Sequence, residues 1–599
     1  MGARRKVRSA GAIAAATFVA VSFGGAASAS PGPVDAPGTG LLPGGAYPIV
    51  LSPGPPLGSK APWGSDALAE TASAGVNVFR VGPGGLWTSE AIASALAWDR
   101  AAAARHVYTW VNLSGYSQAS PGSADDRGLT RVVTTLTGDP SGSAVALWRG
   151  RDEPWWSDIA PPALQFAYCR VTSRGDASWC AGEAGLHPRP LWVTIEAPTG
   201  TAADLAPYGA VTDIHGVDIY PITLGNPSPD LHRVGTWTST LASIAPAAPV
   251  WTTLQICAHT SWSPATGSFV LPSREQERYM AYDAIANGAQ ALAFYGGDNP
   301  RCWNASDAKY GWNWTFWQNA LKPLVHELSP SAPIEPALLN VHTNTFLATS
   351  DPTTEAVVRQ GTSVDDVWLI ALRSGTGSAT VTFSGLPQWA RSGSVYTENR
   401  AVTASDGSFR DSLGQWGVHV YHFVEPLSLD SEVPYSARVG ARVSLYGHGL
   451  AAATAVSFAG VAARFTVRSD GELLATVPRR ARSGRIAVTS PLQRVVSRSS
   501  FSILPSLRTR PRVTGAPRLG RRLRATTGHW YGDPLTGYRF EWMRCNTHGR
   551  ACVAIPGATR RSLRLSPGWA GGRIRVRVAV RTRSGSASAT SAPTPIVTR

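Results

Sequence analysis

The chain has 599 residues, a formal net charge of +16 and 43% hydrophobic residues. That length is too great for one hydrophobic core and calls for roughly three to five domains. No apolar stretch beyond the first thirty residues is long enough to cross a bilayer as a helix. The charge is uneven: from Pro505 onward 19 Arg stand against Asp533 and Glu541, so this segment carries +17 and the rest sums to −1.

Arg4, Arg5, Lys6 and Arg8, the mostly apolar Ala12 to Phe23, and Ala27-Ser28-Ala29 predict a signal peptide over 1–29, with the mature chain starting at Ser30 and secreted. No membrane span is expected after its removal. A Pro/Gly-rich flexible leader fills 30–44. Six cysteines fit an oxidising compartment. Proximity along the chain pairs Cys169 with Cys180, Cys257 with Cys302 and Cys545 with Cys552. None shows zinc-ligand spacing with histidines, and no metal or cofactor is expected. His215 and His259 are read as ordinary polar residues.

From 45 to 332, strand and helix patterns alternate. Strands are expected at Tyr47–Leu51, Asn77–Val81, Val107–Leu113, Val145–Trp148, Leu191–Ile195, Ile214–Tyr220, Val250–Ile256 and Ala291–Tyr295. Helices are expected at Asp66–Ala74, Ser89–Ala104, Leu129–Leu136, Pro162–Arg174, Val234–Ile244, Ser273–Ala289 and Trp312–Leu328. Ser273 with Gln276 makes a capping box for the best of these helices. Eight such repeats predict a (β/α)8 TIM barrel. An open dinucleotide-binding sheet is rejected, because Ser52-Pro53-Gly54-Pro55-Pro56 after the first strand lacks the N–H donors that cradle phosphate. After Pro333 short strands predict all-β domains: a small one over 333–428, then two sandwiches over 429–504 and 505–599.

The stretch Leu147-Trp148-Arg149-Gly150-Arg151-Asp152-Glu153-Pro154-Trp155-Trp156 stands out. Its apolar start breaks into charge at the fourth strand end, and acids placed there cost desolvation. In a barrel of this kind the C-terminal strand ends form the active-site face.

These residues resemble the clan A glycoside hydrolases. The matching pieces are Arg80, Asp152-Glu153-Pro154, Val217-Asp218-Ile219-Tyr220-Pro221 and Phe294-Tyr295-Gly296. The resemblance implies cleavage of glycosidic bonds in a carbohydrate polymer, with Glu153 as acid/base. Asp152 stands where that clan usually has Asn, and Gln255 stands where it has a glutamate nucleophile. Residues 431–504 resemble an IPT/TIG domain through Gly440, Val443-Ser444-Leu445-Tyr446-Gly447, Val456-Ser457-Phe458-Ala459-Gly460, Ala475-Thr476-Val477-Pro478 and Gly484-Arg485-Ile486-Ala487-Val488-Thr489. Residues 505–599 resemble an immunoglobulin-like repeat of secreted bacterial proteins through Gly528-His529-Trp530, Tyr538-Arg539-Phe540-Glu541-Trp542, Cys545, Cys552 and Ile574-Arg575-Val576-Arg577-Val578. Scarce lysine beside abundant Ala, Gly and Pro matches high-GC bacterial coding, so part of the arginine excess is genomic habit.

Glycoside cleavage needs two carboxyl groups. Glu153 is the candidate acid. Asp218 and Glu196 are candidates for the second, with Asp298 behind them. Arg80, Asp152, Trp155, Trp156, Tyr220, Gln255 and Tyr295 are candidate substrate contacts. Trp63, Trp87 and Trp110 also follow strand ends and are weighed against core packing, which claims most tryptophans. The competing reading is a carbohydrate-binding or surface-adhesion protein on a barrel without its nucleophile. The arginine-rich end is expected to meet an anionic cell-wall polymer. With no nucleic-acid-binding fold in view, nucleic acid is not expected as the biological partner.

Overall fold

Eight parallel strands close on themselves in the computed structural model, which describes residues 41–172, 186, 191–196, 200–223, 226, 228–244, 246, 248–257 and 270–599. They are β1 (Ile49–Ser52), β2 (Val78–Val81), β3 (Tyr108–Asn112), β4 (Val145–Asp152), β5 (Leu191–Glu196), β6 (Ile214–Ile219), β7 (Val250–Gln255) and β8 (Ala289–Tyr295). Pairing runs in chain order, and β8 returns to β1 with Ser52 opposite Tyr295. The connecting helices include α1 (Ala67–Ala74), α2 (Ser89–Ala103), α3 (Ala124–Gly138), α4 (Pro162–Thr172), α5 (Ala202–Leu205), α6 (Arg233–Ile244) and α7 (Arg274–Ala286). The (β/α)8 barrel and the β-rich half that follows it both match the sequence reading.

Local chemistry sets the helix starts. Asp66, Thr88, Ser123 and Ser273 each accept a backbone N–H at a helix N-terminus, and Ser273 with Gln276 closes its capping box. Helix α3 is longer than the expected Leu129–Leu136. Gly128 weakens the helical pattern, yet a Cβ there would meet the Tyr116 ring at 2.6 Å, so glycine serves packing. The short α5 has its own capping box, Thr201 with Asp204, and the sequence reading missed it. The expected last helix forms as Trp314–Phe316, a π turn over Trp317–Leu321 and Lys322–Glu327. Pro323 lacks an N–H, and the wider turn precedes it.

All eight strands contribute to one interior core, through Val50, Val78, Trp110, Leu147, Val193, Ile214, Trp251 and Ala293. Trp110 and Trp251 stack at 5.1 Å across it. Leu41 and Leu42, read as the end of a flexible leader, are only 2% and 3% exposed and belong to this core. Their apolar side chains leave water under the strands' first halves. The expected signal peptide lies outside the described residues.

Beyond the barrel and the short helix Glu335–Leu339 the sheets are antiparallel, apart from one parallel pair, Ser436–Arg438 with Ser502–Leu504. A six-stranded sheet centres on Asp366–Arg373, whose eight residues are all buried. One face of that strand, Leu369 and Ala371, packs with Phe383, Tyr421 and Phe423. The other, Trp368, Ile370 and Leu372, joins α7 in the largest core of the molecule. Two four-stranded sheets within 428–496 enclose a core of Leu445, Val456, Phe458, Leu473 and Val488. The last sheets surround Trp542, Val576 and Val578.

Disulfides join Cys257 to Cys302 and Cys545 to Cys552, as expected. Cys169 is also disulfide-bonded, while Cys180 lies outside the described residues. Among the described residues no helix is long and apolar enough to cross a membrane.

Candidate active site

Strand alternation decides what reaches the barrel mouth. Residues in register with the interior core are Arg80 after Val78, Arg149 after Leu147, Asp218 after Ile214 and Gly216, and Tyr295 after Ala291 and Ala293. Val217 and Ile219 point the other way, into the core under the helices.

β4 is not a regular strand. It runs to Asp152 rather than stopping at Trp148, and Arg149 pairs with Val193 while Asp152 pairs with Ile195. The extra residue is a β-bulge, which re-aims the side chains beyond it. Gly150 makes it possible, because a Cβ there would meet the Trp192 indole at 2.2 Å. The Asp152 carboxylate consequently pairs with the Arg149 guanidinium. Glu153 follows with φ +46°, a left-handed conformation that a residue with a Cβ rarely holds.

Glu153 is half-buried; its backbone O accepts from Ser157 N at 3.0 Å, while its carboxyl has no hydrogen-bond partner among the described residues. Burial pushes its carboxyl up, the Asp152 charge adds to this, and Arg149 opposes it. Among the described residues Glu153 forms no ion pair with Arg151 or Arg80, and the carboxylate paired with Arg149 is that of Asp152. Asp218 is more extreme. Its Oδ1 is buried without a hydrogen-bond partner. Burial pushes it well above the carboxylate range, helped by the charges of Glu153 and Asp152 and opposed by Arg149. Glu153 and Asp218 are therefore electrostatic neighbours, and charging either one opposes charging the other.

Two guanidiniums balance the acids. Arg80 lies over the Tyr295 ring at 5.8 Å, and Arg149 over Trp110 at 5.6 Å. Burial, then the Arg149 charge, lowers the Arg80 pKa, while Tyr295, Asp298 and Asp152 hold it up. Tyr220 and Tyr295 stack at 5.9 Å and 19°. Burial pushes both phenols up, so they remain neutral hydrogen-bonding groups.

Gln255 departs from expectation. It is 1% exposed; its Oε1 accepts from Ile222 N at 2.9 Å and its Nε2 donates to Ile222 O at 2.9 Å. The amide braces the chain after β6 and offers no free group to a substrate, which corrects the reading of Gln255 as a substrate contact. Glu196 closes β5, and its side chain lies outside the described residues. Asp298 is exposed beyond β8 and acts on the site through Arg80.

The tryptophans divide. Trp87 and Trp110 are buried, the former donating to Asn112 O. Trp155, a predicted contact, is partly buried against Leu164, Tyr208 and Val211. Trp63 donates to Glu70 at 3.0 Å. Trp156 is 59% exposed and keeps a face open beside Glu153. Arg149, buried between Asp152, Asp218 and Trp110, is the site residue the sequence reading missed. Its signal was its position two residues past the inward-facing Leu147, hidden by ending the strand at Trp148.

No family model matches the chain, and no curated protein matches it. Among solved structures it is similar to a gamma-CGTase from Alkalophilic bacillus clarkii, at 11% identity over 89% of this chain and 90% of that one, TM-score 0.36. An alpha-amylase from Geobacillus thermoleovorans gives 10% over 63% and 98%, TM-score 0.39. A glycoside hydrolase family 30 subfamily 8 xylanase from Clostridium acetobutylicum gives 13% over 63% and 99%, TM-score 0.35. Likeness this remote carries no argument about activity, and the barrel rests on its own closed strand order.

Proposed function

We propose that the barrel is a secreted glycoside hydrolase acting on a carbohydrate polymer, with Glu153 as general acid. The observation that carries this reading is the Glu153–Asp218 pair at the mouth, two neighbouring carboxyls both held up by burial. Raising a carboxyl pKa keeps the proton available near neutral pH, as a general acid requires. Glu153 gives that proton to the glycosidic oxygen as the bond breaks. Asp218 is the second carboxyl and acts once ionised, which Arg149 favours and burial opposes. Arg80, Asp152 and the Tyr220–Tyr295 stack line the sugar site, and Trp156 offers a ring face to a further unit. The resemblance of the strand-four and strand-six motifs to clan A enzymes supports the same reading.

In this proposal residues 429–504 and 505–599 are the IPT/TIG-like and immunoglobulin-like modules of an exported protein. Their paired sheets around separate cores support this, as do the two disulfides. A second reading is favoured by Gln255. With its amide fixed to Ile222, β7 presents no nucleophile, and the barrel would then bind carbohydrate without cleaving it.

The test is turnover on a panel of soluble glycans, with binding measured in parallel. Glu153→Gln should lower the rate on any cleaved substrate by roughly 10²–10⁴-fold while binding persists. Full activity in that variant overturns the assignment of Glu153. Binding without cleavage of any glycan selects the second reading.

A further inference from the structure

We infer that the outer face of the C-terminal sheet is a binding site for a linear acidic polysaccharide, independent of the barrel's chemistry. The strand Arg573–Thr582 alternates strictly. Ile574, Val576, Val578 and Val580 are buried in the last core with Trp542. Arg573, Arg575, Arg577 and Arg581 therefore share the opposite face, the first three at two-residue steps of ~6.5–7 Å. The step without arginine is Ala579, and the neighbouring strand places Arg539 directly opposite it. Five arginines of two paired strands thus belong to one face of the sheet.

Three of them are held in place rather than loose. Arg573 donates from Nε to Thr547 O and from Nη1 to Thr594 O. Arg575 donates from Nε to Ser591 O at 2.8 Å, and Arg577 from Nε to Ser588 Oγ at 3.2 Å. In Arg575 and Arg577 these bonds use the inner nitrogen, so the two outer nitrogens remain for a ligand, with Glu541 as a loose neighbour of the Arg577 fork. Such a fork is preorganised for a carboxylate or a phosphate. A cleft of about 410 Å³ opens at Ala579, lined also by Tyr538, Arg539, Phe540, Glu541, Thr559 and Arg577. Glu541 is the one acid there, 3.9 Å from Arg577, and it suits a sugar hydroxyl better than an anion. On the far side Ser586, Ser588 and Thr590 pair with Arg581, Ala579 and Arg577, adding a row of hydroxyl-bearing residues along the arginines.

This pattern favours an acidic polysaccharide over nucleic acid. Single-stranded nucleic acid is gripped by successive aromatic platforms; here Trp542 lies in the core and Phe540 packs against it, which leaves Tyr538, 46% exposed, as the one exposed aromatic of this cleft. A polysaccharide needs repeated anion contacts with hydroxyl partners between them, which the arginine and hydroxyl rows supply side by side.

The experiment measures affinity of the full chain for polygalacturonate, for neutral dextran and for double-stranded DNA, at about 50 mM and about 500 mM salt. Arg575→Thr/Arg577→Thr/Arg581→Thr is compared with Arg521→Ser/Arg522→Ser/Arg524→Ser, which removes the same charge from another sheet. The first variant should weaken polygalacturonate binding at least about tenfold and the second less than about threefold, with salt weakening binding throughout and dextran unbound. Equal loss in both variants, tight dextran binding, or a preference for DNA overturns the proposal. Should the first variant lose its melting transition, Arg539→Gln and Arg577→Gln replace it singly. Each is then expected to weaken binding at least about twofold, and no change in either overturns the proposal.

Discussion

Gln255 and Asp218 carry the residue-scale consequences of the barrel's interior. The Gln255 amide both accepts from and donates to Ile222, a pattern that an ionised carboxylate cannot copy. Gln255→Glu should therefore not restore a nucleophile. It should cost about 1–3 kcal/mol at neutral pH, measured by chemical denaturation, and recover in acid, where a protonated Glu can donate to Ile222 O. A new retaining activity in that variant would refute this account. Asp218 yields a pH prediction. Its folded pKa lies well above the ordinary value, so its contribution to stability is complete below about pH 4 and is lost as pH rises toward the raised value. Asp218→Asn removes that loss. The melting temperature of the variant should gain on that of the parent as pH rises from about 4 to about 8, and a constant gap would contradict the raised pKa of the buried Asp218.

At the scale of elements, α7 does more than complete a barrel repeat. Arg278 on this helix donates from Nε and Nη2 to Glu327, which ends the helix Lys322–Glu327, and from Nη1 to Val418 O in the six-stranded sheet. The Tyr282 hydroxyl also donates to Glu327 at 2.7 Å. Three elements from two regions thus meet at one ion pair with little exposure. Arg278→Ala should cost about 3–5 kcal/mol because it leaves Glu327 charged and buried, whereas Arg278→Met/Glu327→Leu should cost less than that single change. Denaturation of the two variants checks this, and a double variant no more stable than Arg278→Ala would refute it. The same helix shows what local signals can do. The Ser273–Gln276 capping box predicted it to within a few residues, whereas α5 is one turn long and too short to leave a period.

On the scale of the whole molecule, the barrel and the six-stranded sheet share one core, with Trp368, Ile370 and Leu372 packed among barrel residues. The strand order, a β-rich half following the α/β barrel, two disulfides and the inward face of β6 were all legible in the sequence. They depend on hydrophobic period, turn residues and proximity along the chain, which are local quantities. The candidate carboxyls Glu153 and Asp218 were legible because each stands where a strand meets the mouth. Tertiary structure alone decided the rest. The bulge that turns Asp152 onto Arg149 exists because Trp192, some forty residues later, needs the space above Gly150. Gln255 became a brace because Ile222 on the neighbouring strand end brought its backbone within reach. Leu41 and Leu42 left the leader because eight strands closed around an interior that water had to vacate. Each of these turns on a partner distant in sequence, and a sequence read along its length carries the residues but not the distances that set their desolvation and charge.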